Sequence, residues 1–108
     1  MAFVDLASLP AREIFNGALR GHYAHLERMT VGEVRIAPDT ELPLHQHPHE
    51  QFTLVLEGRL EFTVSGETRI IEAGAGILIP SKIVHGGRTI TACRLLDVFT
   101  PVREDYRS

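Results

Sequence analysis

Three imidazoles and one amide are the residues of this chain best suited to chemistry. His45, His47 and Gln51 lie in the run HQHPHEQ, and His85 follows Gln51 by 34 residues in IPSKIVHGG. Side chains alternate faces along a strand, so His45 and His47 point one way and Gln51 keeps their parity. A later strand that brings His85 to the same face would close a metal site of imidazole nitrogens and an amide oxygen. Every ligand in such a site is uncharged. The ion would keep its full double charge, act as a strong Lewis acid and favour anionic ligands such as carboxylates or enolates. An amide should also hold it less tightly than a carboxylate would. The donor set suits Zn, Ni, Mn or Fe, so one divalent transition metal ion is expected without its identity. The plainer alternatives are an exposed row of histidines or a polar core network without metal.

Neighbouring residues compete for these roles. Glu50 is the rival carboxylate, but its parity turns it away from His45 and His47. His49 shares their formal parity, yet it follows Pro48 at an expected bend and belongs at the mouth of the fold rather than on the ion. His22 and His25 stand three apart, on opposite faces of a strand.

The elements that must position these residues are short strands. Candidates are 22–28, 31–37, 42–47, 50–57, 59–65, 67–72, 76–80, 83–87 and 90–99. Leu60, Phe62 and Val64 alternate with Arg59, Glu61 and Thr63, the pattern of a half-buried strand. Ser65-Gly66 reads as a tight hairpin turn, and Ala37-Pro38-Asp39-Thr40, Glu57-Gly58 and the run Ala73 to Gly76 as further turns. No stretch after residue 20 holds a helical period. Many short strands between turn signals predict an all-β sandwich or barrel. Residues 1–20 form an arm. Asn16-Gly17 is a turn, and the segment before it could be a helical turn or a strand laid against a partner subunit.

The chain has 108 residues, one domain's worth, and a formal net charge of −3. A chain of this size buries roughly 65% of its unfolded surface, enough for a core without disulfides. The 11 Lys and Arg are scattered, so no nucleic-acid partner is expected. The single cysteine, Cys93, sits in the apolar run TACRLLDVF and reads as an inert core thiol in a reducing compartment. No basic stretch followed by an apolar run opens the sequence, and no apolar stretch approaches the roughly 20 residues that span a membrane. The expectation is a soluble, cytoplasmic protein.

Two spaced motifs resemble those of the cupins. The first cupin motif reads G, five residues, H-x-H, three or four residues, E, six residues, G. Here His45, His47, Gln51 and Gly58 fall on it. The second reads G, five residues, P-x-G, two residues, H, three residues, N, and Gly74, Pro80 and His85 fall on it. Asp39, Gln51, Lys82 and Thr89 depart from the pattern, and only Gln51 does so at a ligand position. The resemblance implies a small cupin of the RmlC-like kind: all-β, an antiparallel double-stranded β-helix or jelly roll, one domain over 1–108 with its barrel at about 30–100. It also implies metal inside the barrel and a homodimer.

The C-terminal stretch LeuLeuAspValPheThrProValArgGluAsp resembles, more narrowly, the KdgF-type cupins of pectin and alginate breakdown. Those share the HPHEQ run and place functional residues with D-x-F-x-x-x-R spacing, here Asp97, Phe99 and Arg103. The likeness implies ring opening of a 4,5-unsaturated uronate. Asp97 would serve as general acid or base, Arg103 as a bidentate carboxylate clamp and Phe99 as a flat wall. The alternative roles are structural: Asp97 paired with an arginine such as Arg94, Phe99 in the core, Arg103 a surface charge. Two other functions stay open, a three-His metal-dependent dioxygenase and a non-catalytic small-molecule binder or sensor.

Overall fold

Leu60 and Phe62 are buried while Arg59 and Glu61 beside them are exposed, so this strand lays one face on a core and one in water. The same alternation recurs along the computed structural model, which describes residues 2–107. Ten strands follow in chain order: β1 Arg12–Ile14, β2 Leu19–His25, β3 Thr30–Ile36, β4 Glu41–His45, β5 Glu50–Glu57, β6 Arg59–Val64, β7 Glu67–Glu72, β8 Gly76–Ile79, β9 His85–Thr89 and β10 Cys93–Thr100. Two 3-10 turns, Leu6–Ser8 and Glu104–Tyr106, flank them; no α-helix occurs among the described residues. Nor is any helix there long and apolar enough to cross a membrane.

The strands form a six-stranded sheet, β1-β2-β3-β10-β5-β8, and a four-stranded sheet, β4-β9-β6-β7. All pairings are antiparallel. Their inner faces meet over a core that includes Val34, Val55, Leu60, Ile79 and Leu95. This is the expected all-β jelly-roll barrel. Ser65 and Gly66 both take positive φ, 50° and 80°, as a two-residue hairpin between twisted strands requires. Cys93 is buried, and burial pushes its thiol pKa up, the inert setting expected of a core thiol.

Strands β5 and β7 start and stop where the sequence places them; others shift for identifiable reasons. Strand β2 begins at Leu19, whose buried side chain pairs with Ile36. Strand β9 begins at His85 because residues 80–84 turn instead: the Lys82 N–H donates to His47 O and the Ile83 N–H to Pro80 O. Strand β10 begins at Cys93 because the N–H groups of Ile90 and Thr91 both donate to Arg59 O. The N-terminal arm carries β1, which pairs with β2 of its own chain, Arg12 opposite Gly21.

The registers stack the inner face of the large sheet in rows. One row runs His25, Thr30, Phe99, Gln51, Ile79. The next runs Tyr23, Gly32, Asp97, Thr53, Ile77, and the next Gly21, Val34, Leu95, Val55. The first two rows carry polar side chains and the third carries none. Polar chemistry therefore concentrates at one end of the barrel, above an apolar floor.

Candidate metal centre

Two stretches bring the three imidazoles together. Strand β4 delivers His45 directly opposite His85 of β9. His47 lies past the end of β4, in the connection to β5, not on a strand as its parity suggested. Pro48 cannot donate to a ladder, and the register of β4 already shifts between Leu42 and His45. The side chains converge nonetheless: the ligating atoms of His45, His47 and His85 all lie within 4.8 Å of one another.

The backbone fixes which nitrogen each ring presents. The Nδ1 of His45 lies 2.8 Å from Pro43 O, that of His85 2.8 Å from Ile83 O, and that of His47 3.0 Å from His49 O. A carbonyl only accepts, so each Nδ1 carries the proton and each Nε2 keeps its lone pair. The Nε2 of His85 is buried with no partner, an orphaned acceptor. The Nε2 of His47 faces Gln51 Oε1 at 3.0 Å. The Gln51 amide is oriented by donating from its own Nε2 to Thr53 Oγ1 at 2.9 Å and Asp97 Oδ1 at 3.4 Å. Two lone pairs thus confront each other at hydrogen-bond distance, which a cation between them would reconcile. Three aligned imidazoles, an orphaned acceptor and an acceptor pair fit a divalent metal ion.

Burial lowers the pKa of His45, His47 and His85, His85 to about 4, and nearby Arg103 lowers all three further. The rings are neutral at physiological pH, as ligands must be. In the metal-free protein their contribution to stability is complete above the unfolded-chain value of about 6.5 and is lost as pH falls below it, for His85 through about 4. Asp97 runs the opposite way. Burial pushes its carboxyl up to about 6, so its contribution is complete below about 3.8 and is lost as pH rises through 6. Three imidazoles outweigh one carboxyl. Thermal melts in chelator should show the melting temperature dropping from pH 6.5 to pH 4.5; a flat or rising profile would contradict this assignment.

Asp97 is 7% exposed and meets no arginine. Thr53 Oγ1 donates to its Oδ1 at 2.5 Å, helped by Gln51. Arg94 points to the outer face and pairs with Glu57 and Glu33. Phe99 is buried with its ring 5.8 Å from that of His47. Arg103 is not a surface charge: it is 8% exposed and lines the same pocket as the histidines and Asp97. Its Nε and Nη2 reach Asp105 at 3.0 and 2.8 Å, so a bidentate partner is already present. Glu50 is exposed, and His49 sits beside His47 and Phe99 outside the three-imidazole cluster.

Some site residues carried no usable sequence signal. Phe15, in the turn after β1, packs its ring 4.8 Å from that of His45, with φ 55°. Tyr23 and Tyr106 also line the pocket. Thr53 could have been found, since it shares the parity of Gln51 on β5.

A jelly-roll barrel with three inward imidazoles at one end, two on neighbouring strands and one on the following connection, defines a small cupin with a candidate metal site. The chain belongs to the cupin family, and the cupin domain matches residues 32–99. An RmlC-like cupin from Shewanella frigidimarina NCIMB 400 superposes with a TM-score of 0.90 at 25% identity, over 99% of this chain and 96% of that one. KdgF from Halomonas sp. superposes with a TM-score of 0.89 at 22% identity, over 99% of both chains. Polyketide synthase CurC of Streptomyces cyaneus is 36% identical over 61 residues, 56% of this chain. That match spans only 40% of CurC.

Proposed function

We propose that the protein is a metal-dependent enzyme acting on a small anionic substrate, a 4,5-unsaturated uronate, whose ring it opens toward a linear keto acid. One observation carries the reading: three imidazole lone pairs, the Gln51 amide oxygen, a buried carboxyl and a guanidinium share one pocket. A divalent ion held by His45, His47, His85 and Gln51 would supply Lewis acidity toward substrate oxygens. The remaining work falls to the chain itself. Arg103 would attract and orient the carboxylate. Asp97 accepts its hydrogen bonds at Oδ1, which leaves Oδ2 to carry the mobile proton. With a pKa of about 6, both of its forms are populated near neutrality. Oδ2 would take the proton of the anomeric hydroxyl as the ring C–O bond breaks, then return one to the carbon end of the enolate. The process is an isomerisation, so no external oxidant or reductant is needed. The cavity is about 50 Å³. That admits an ion and about one water-sized group of about 30 Å³, so the sugar ring would rest at the mouth.

The test is incubation of metal-loaded protein with 4,5-unsaturated galacturonate while the absorbance of the unsaturated species is followed. The expected outcome is loss far above a buffer blank. A rate equal to the blank removes the uronate reading. The identity with CurC and the aromatic lining by Phe15, Phe62 and Phe99 favour a second reading, an enzyme acting on a polyketide. Turnover of a poly-β-ketone with none of the uronate would select it.

A further inference from the structure

Arg103 is held on three sides. Its guanidinium carbon stands 4.0 Å from the Tyr106 ring centroid and 4.8 Å from that of Phe99. Its Nε and Nη2 are bound to the two oxygens of Asp105, and its backbone N–H donates to buried Thr30 Oγ1 at 2.9 Å. Tyr106 in turn rests on Tyr23, with ring centroids 4.7 Å apart. Tyr23 lies on bare backbone: a Cβ built at Gly21 or Gly32 would collide with its ring. The stack therefore runs from the Gly21 and Gly32 backbone through Tyr23 and Tyr106 to Arg103. Without those two glycines Tyr23 would ride higher, and Tyr106 could not sit beneath the guanidinium.

An arginine guanidinium has two paired N–H edges, Nε/Nη2 and Nη1/Nη2, and a single Nη1–H on its third side. Asp105 takes the Nε/Nη2 edge. Nη1 has no hydrogen-bond partner among the described residues, so the Nη1/Nη2 end is the edge left for a ligand. The geometry points to Tyr106 and Asp105 as positioning residues that lock Arg103 so that only its Nη1/Nη2 end receives a ligand. The pocket is thereby built for a single planar carboxylate, taken end-on. Asp105 also offsets the arginine's charge, so recognition depends on directed hydrogen bonds more than on net positive charge. The proposal deepens the uronate reading and rests on it only for the choice of ligand.

Two measurements on the metal-loaded full chain test it. The first needs no substrate: the exchange rate of the Arg103 Nε–H signal in nitrogen-15 spectra. Exchange should be slow in the native protein, faster in Asp105→Asn and Tyr106→Leu, and slow again in Tyr106→Phe, which keeps the stack. The second is calorimetric binding of saturated galacturonate, which lacks the reactive double bond. Tyr106→Leu should weaken it about tenfold, the order of one charge-assisted hydrogen bond, with Tyr106→Phe within about twofold and metal content constant. Equal affinity in Tyr106→Leu and the native protein would overturn the inference. Should the native protein bind no galacturonate, the uronate reading falls instead, and acetate becomes the probe. An acetate-induced shift of the Arg103 signals, lost in Tyr106→Leu, supports the carboxylate receptor; no shift refutes it.

Discussion

Purified protein should carry about one divalent ion per chain, and the His45→Ala, His47→Ala double variant less than about 0.1. Closed four-ligand zinc sites bind with about 10–16 kcal/mol, so each ligand is worth on the order of 3 kcal/mol. Two lost ligands then weaken binding by roughly four powers of ten. The backbone should tolerate the change, because His45 is only half-buried and His47 lies outside the strands. Elemental analysis, with circular dichroism to confirm the fold, makes the measurement. A folded double variant that keeps its metal would remove these residues from the ligand set.

Asp97→Asn separates chemistry from stability. Uronate turnover should fall about 10²–10⁴-fold, the usual contribution of a positioned acid–base group. Metal-free protein at pH 7.5 should meanwhile become more stable, by on the order of 3 kcal/mol. The reason is that burial opposes the Asp97 charge, and a shift of one pKa unit corresponds to about 1.4 kcal/mol. Asn keeps an oxygen to accept from Thr53. Chemical denaturation in chelator gives the stability, and initial rates give the activity. Loss of both together would mean that Asp97 is a packing residue.

The convergence of the candidate quartet was legible because its information is local: His45, His47 and Gln51 lie within seven residues, and His85 stands at a fixed motif spacing. The partnerships were not. Thr53 and Asp97 meet only through the pairing of β5 with β10, which the sequence does not specify. Arg94 looked a fair partner for Asp97, but the register shift between Arg94 and Leu95 accompanies its turn toward Glu33 and Glu57 on the outer face. Arg103 and Asp105 both lie past the end of β10 at Thr100, where strand parity no longer tells which side chains meet. The 3-10 turn Glu104–Tyr106 begins just after Arg103 and brings the Asp105 carboxylate to its guanidinium. Strand existence followed from alternation and turn chemistry. Strand ends depended on individual backbone hydrogen bonds, such as those to Arg59 O, that no propensity encodes.

Each of the three imidazoles is anchored to a carbonyl within two residues of itself: Pro43 for His45, His49 for His47, Ile83 for His85. Many metal-binding histidines are instead braced by distant carboxylates, and a change at the brace damages the site. Here each ring's bearing travels with its own short segment. The walls of the barrel can therefore diverge in size and polarity while the three rings keep their aim, leaving descendants of one scaffold free to take up different substrates around an unaltered centre.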